Sequence, residues 1–64
     1  MDFSIRQLIR AFAVANPSIP GDELAVLINE AYPQYGRFDV LVIARLMVME
    51  RGLNISQDGI FSVN

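Results

Sequence analysis

The segment from residue 38 to residue 51 constrains the fold of this 64-residue chain more than any other. Its pattern predicts a helix with Asp39 in the first turn and Gly52 as the C-terminal stop. Apolar side chains surround this helix on nearly all sides, whereas a helix at a protein surface keeps a single apolar stripe. Two other helices and a hairpin of this size cannot cover it completely, so a second chain is expected to cover the rest of its apolar surface.

Two more helices are predicted on either side of the one segment rich in proline and glycine, residues 17–21. Apolar residues recur at helical spacing before it, and Pro17 ends that helix. After it, Pro20 supplies a backbone φ suited to a first helical turn and lacks the amide hydrogen that such a turn leaves unpaired. Because proline also stops the second helix, the pattern predicts helices over about residues 3–15 and 21–31.

The C-terminal segment, about residues 53–63, alternates between apolar and polar residues around Asp58-Gly59, which predicts a β-hairpin. A two-residue turn would place the apolar residues on opposite faces. A three-residue loop that ends with this glycine in a left-handed conformation pairs Ile55 with Phe61 and collects the apolar residues on one face. We expect this second register.

Together these elements predict one domain over residues 1–64, mainly α-helical, with three helices and a small C-terminal β-hairpin. The order of the elements, and the run Glu50-Arg51-Gly52-Leu53 that leads to Asp58-Gly59, resemble a winged helix-turn-helix domain. The resemblance spans nearly all of the chain. It implies a transcriptional regulator that acts as a dimer and places its third helix in the major groove of DNA.

The charges of the chain do not favour DNA as a partner. Seven acidic residues and five arginines give a net charge of −2, whereas a domain that binds phosphates usually shows a basic excess. If DNA is bound, four of the five arginines are expected to contact it, and Arg51 at the end of the third helix is not among them. These four are Arg6, Arg10, Arg37 and Arg45. We therefore keep nucleic acid as the alternative partner.

The residues needed for catalysis are scarce. The chain has no histidine and no cysteine, which removes zinc sites of the usual kind and the commonest general base near neutral pH. We therefore expect no catalytic residue, no metal site, no cofactor and no enzymatic activity. Because no uncharged apolar run is long enough to cross a bilayer, we also expect no membrane partner and a cytoplasmic location.

The surplus apolar surface of the third helix leads to the functional hypothesis. One set of its residues is expected to face the core beside the hairpin: Leu41, Ala44 and Val48. The set expected to face outward forms a partner surface: Val40, Ile43 and Met47. Arg37, beside this surface, is the expected contact for a phosphate or a carboxylate. These residues predict a small regulatory or interaction module that binds a protein partner or itself, with a homodimer as the simplest form.

Overall fold

Three helices and a C-terminal hairpin form the protein, whose structure is a computed structural model that describes residues 2–63, with side chains described from residue 5 onward. Helix α1 spans Asp2–Ala15, α2 spans Gly21–Ala31 and α3 spans Arg37–Met49. The antiparallel strands β1, Asn54–Ile55, and β2, Phe61–Ser62, follow. This architecture confirms the predicted fold class, a mainly α-helical small domain with a C-terminal hairpin.

Local hydrogen bonds and prolines set the limits of the first two helices. Helix α1 ends where the backbone N–H and the side-chain amide of Asn16 both donate to the carbonyl of Phe12, each at 2.9 Å. Pro17 follows at once and cannot continue the helix. Helix α2 begins after Pro20, whose φ is −64° and whose carbonyl accepts a hydrogen bond from the N–H of Leu24 at 3.0 Å.

Helix α3 ends at Met49, two residues earlier than the sequence predicts. Arg51 has a left-handed φ of 65°, and its N–H donates to the carbonyl of Val48 at 3.0 Å. The N–H of Gly52 donates to the carbonyl of Met47 at 2.9 Å. These two bonds form a Schellman motif, in which glycine usually occupies the left-handed position. Here the glycine lies one residue further on, so an arginine adopts the strained conformation.

The hairpin has the predicted register, with Ile55 paired with Phe61. Gly59 has a φ of 81°, a left-handed conformation that glycine adopts easily because it has no Cβ atom. The hydroxyl of Ser56 accepts a hydrogen bond from the N–H of Ile60 at 3.1 Å and so closes the loop.

A core of buried apolar side chains joins the three helices to the hairpin. Its members come from every helix and from both arms of the hairpin: Ile5, Ile9, Ala13, Leu24, Ala25, Ile28, Val40, Ala44, Met47, Leu53 and Phe61. The ring of Phe61 lies against Gly21, where a Cβ atom would be only 2.3 Å from it. The N–H of Gly21 also donates to the carbonyl of Gly59 at 2.7 Å. These contacts hold the hairpin on the first turn of α2.

Candidate interaction surface

The packing of α3 buries the face that the sequence analysis directs outward. Val40 is 2% exposed, Met47 is 3% exposed, and Ile43 is half-buried against the core. Helix α3 packs against α1 and α2, whereas strand β2 packs on α1. Two helices, and not the hairpin, therefore decide which side of α3 is buried. The prediction that Val40, Ile43 and Met47 form an outward surface is wrong.

The opposite side of α3 carries the exposed apolar residues. Phe38 is 77% exposed and Met49 78%, while Val42 and Leu46 are 41% and 39% exposed. These four residues, which we call the α3 stripe, are separated by four, four and three positions, so they follow one side of the helix. Because a helix rises about 1.5 Å per residue, the stripe is about 17 Å long.

Two charged residues mark this side of the helix in the sequence. After its first residue, α3 contains only Asp39 and Arg45 as charged residues. With a rotation of about 100° per residue, these two bound an arc of the helix that contains the whole α3 stripe. Unpaired charged side chains are almost never buried, so they indicate the exposed side. The apolar residues, which surround the helix, carry no such information.

A groove follows α3 on the side of α2 and the hairpin. It consists of three adjoining open depressions of about 370, 200 and 330 Å³. The first and second depressions share Asp22 and Leu41, and the second and third share Arg45 and Ile55. We call this continuous depression the α3 groove. It runs beside the α3 stripe from the beginning of the helix to its end.

Arg6 and Arg10, two of the arginines predicted to contact DNA, bind within the fold. The guanidinium of Arg6 forms an ion pair with the carboxylate of Glu50 through both of its terminal nitrogens. The guanidinium of Arg10 donates to the carbonyl of Gly52 at 3.1 Å. Both contacts lie just beyond the C-terminal end of α3, where free carbonyls carry partial negative charge. These two arginines therefore attach α1 to the end of α3.

Arg37 and Arg45, the other two predicted arginines, lie exposed on α3. Neither forms a hydrogen bond or an ion pair with another residue among those described. Arg37 is the first residue of the helix, and both side chains line the α3 groove. The expectation that Arg37 contacts a phosphate or a carboxylate stays a prediction.

Within residues 2–63, no group of three or more histidine, cysteine, aspartate or glutamate side chains is placed to hold a metal ion. The core of that same range contains no polar or charged side chain. None of the three described helices is long and apolar enough to cross a membrane. What this part of the chain offers to a ligand is an apolar surface with charges at its edge.

Comparisons with protein-family models, with curated proteins and with solved structures found no match to this chain. The functional interpretation therefore starts from the chemistry of the α3 stripe and the α3 groove. That chemistry is simple: apolar side chains along a helix, with arginines and carboxylates beside them.

Proposed function

We propose that this chain is a non-enzymatic interaction module that binds a protein through the α3 stripe. The observation that carries the proposal is the exposure of Phe38 and Met49, 77% and 78%, at the two ends of one side of α3. Val42 and Leu46 continue the apolar surface between them. Contiguous exposed apolar surface on a small domain is typical of a protein interface.

The α3 stripe can support a weak association with a partner that adds apolar surface of its own. Its exposed fractions together amount to a little more than two whole side chains, and burying that much is worth about 4–7 kcal/mol. Association costs about 4 kcal/mol or more in lost translational and rotational freedom. A partner must therefore bring apolar surface of its own, and we expect dissociation constants between about micromolar and about millimolar.

The order of the elements supports an interpretation of the domain as winged-helix-like, with the hairpin as its wing. In winged helix-turn-helix proteins the exposed side of the third helix faces the DNA. Here that side carries Phe38, Val42 and Met49, whose side chains offer no hydrogen bonds to base edges. This difference supports a protein partner over base-specific recognition of DNA.

Site-specific photo-crosslinking in cells of the source organism tests the proposal. A photoreactive phenylalanine analogue replaces Phe38 in one variant and Met49 in another. Val14, which is 66% exposed on α1, provides the matched control. We expect crosslinked protein products from positions 38 and 49 and not from position 14. No product from the two stripe positions, or equal products from all three, would contradict the proposal.

DNA binding is the second candidate function, and the two unpartnered arginines on α3 favour it. In this alternative a dimeric regulator contacts phosphates with Arg37 and Arg45. A mobility-shift assay with random duplex DNA measures it, because each phosphate contact makes affinity fall with salt by a slope of about 0.9 on a double-logarithmic plot. We expect the variant with Arg37→Gln and Arg45→Gln to lose this slope. Absence of binding at low salt would exclude the alternative.

A further inference from the structure

The α3 groove offers a partner charges of both signs. Arg37 and Arg45 lie on the wall formed by α3, while Asp22 and Asp58 lie on the wall formed by α2 and the hairpin loop. None of these four side chains forms an ion pair with another residue of the described chain. Two positive and two negative charges are therefore available to a molecule that enters the groove.

We infer that the molecule bound at the α3 stripe and groove is a second copy of this chain, related to the first by a two-fold axis. The inference rests on the proposed function, because it names the partner of the same surface. In a two-fold contact a surface patch meets itself, so it must be self-complementary. A two-fold axis that runs along the groove meets that condition, because it places the arginine wall of each copy opposite the carboxylate wall of the other.

A standard dimer interface would take up about one broad side of this protein. An interface of standard size buries about 800 Å² on each partner, which is roughly a fifth of this protein's 4302 Å² surface. The Cα atoms span 28 × 21 × 18 Å, so one broad side presents about that fraction. A single helix with its side chains is only about 10 Å wide. A standard interface is therefore wider than the α3 stripe and must include the groove beside it.

Sedimentation equilibrium of the purified protein measures the association directly. We expect the mass to rise from 7.2 kDa towards twice that value as the concentration increases to about 1 mM. Phe38→Ser should raise the dissociation constant at least about tenfold, because it removes one end of the stripe. Val14→Ser removes a similarly exposed apolar side chain from α1 and should leave the dissociation constant unchanged.

Reversal of each charged wall tests the groove itself. One variant carries Arg37→Glu with Arg45→Glu and has an acidic groove, and the other carries Asp22→Lys with Asp58→Lys and has a basic groove. Each variant alone should stay monomeric, because like charges would face each other across the two-fold axis. An equimolar mixture should form a mixed dimer, which native mass spectrometry identifies by its mass. If the basic variant does not melt cooperatively, Asp58→Lys alone replaces it, since this position lies in the hairpin loop.

Three results would overturn the inference. The wild-type protein could stay at 7.2 kDa throughout the concentration range, both reversed variants could dimerise as well as the wild type, or their mixture could stay monomeric. The photo-crosslinking experiment separates this failure from that of the proposed function. Crosslinks from position 38 to a different protein, with a monomeric wild type, overturn the second copy and support the interaction module. Absence of any crosslink from the stripe contradicts both.

Discussion

Replacing Gly21 with alanine puts a methyl group where the ring of Phe61 already lies. The new Cβ atom would be 2.3 Å from Cε2 and 3.0 Å from Cδ2 of that ring. Phe61 is only 4% exposed and packs in the core, so the ring can avoid the new methyl group only by displacing core side chains or by turning towards the adjoining depression of the α3 groove. Overpacking of a filled core costs about 1–3 kcal/mol, while the better helix propensity of alanine returns at most about 1 kcal/mol. We expect the free energy of unfolding to fall by about 1–2 kcal/mol.

Thermal and urea denaturation followed by circular dichroism measure this loss. For a domain of this length the expected decrease in Tm is about 4–16 °C. Gly52→Ala is the matched control, because its Cβ atom would meet no atom closer than 3.7 Å, and we expect it to be neutral or stabilising by up to about 1 kcal/mol. In a Phe61→Leu background, Gly21→Ala should cost much less. A Gly21→Ala protein as stable as the wild type would refute the reasoning.

Three further substitutions and one control variant test other parts of the fold. Arg51→Gly should raise the free energy of unfolding by about 0.5–1 kcal/mol, since glycine avoids the left-handed strain at that position, and a lower Tm would contradict this. Glu50→Gln removes the half-exposed ion pair with Arg6 and should cost about 0.2–1 kcal/mol in dilute buffer. This loss of unfolding free energy should vanish in about 1 M salt, which screens the ion pair. Urea titrations that show the same loss in dilute buffer and in about 1 M salt would contradict a stabilising role of the ion pair. Met47→Glu places an unpaired charge in the core and should abolish the helical circular dichroism spectrum. Its control, Met49→Glu, changes an exposed residue of the same helix and should fold normally. A folded Met47→Glu protein would show that the core assignment is incorrect.

Local chemistry made the hairpin predictable from the sequence. The alternation of apolar and polar residues, together with one glycine able to adopt a left-handed φ, allowed a single register that kept the apolar residues together. The observed pairing of Ile55 with Phe61 is that register. The three helices were predictable for a similar reason, because the prolines between them act on their immediate neighbours.

The orientation of α3 depends on tertiary packing, and apolar periodicity alone could not predict it. Its apolar residues lie on all sides, so the burial of Val40 and Met47 follows from where α1 and α2 pack. The binding of Arg10 to the carbonyl of Gly52 likewise joins residues that are 42 positions apart. The exposed apolar side of α3 is therefore opposite to the side that the sequence analysis predicted to face outward. After its first residue, the helix itself indicated its exposed side only through the charges at Asp39 and Arg45.

The contact between α1 and β2 brings together the first and last elements of the described chain. During synthesis α1 leaves the ribosome before β2, and Phe61 follows only after nearly all of residues 2–63 have been made. Until then the apolar side chains of Ile5 and Ile9 lack one of the residues that complete their core. A chain interrupted before Phe61 would expose them to chaperones and proteases. Chaperones and proteases could thus distinguish a domain that includes strand β2 from a truncated one that lacks it.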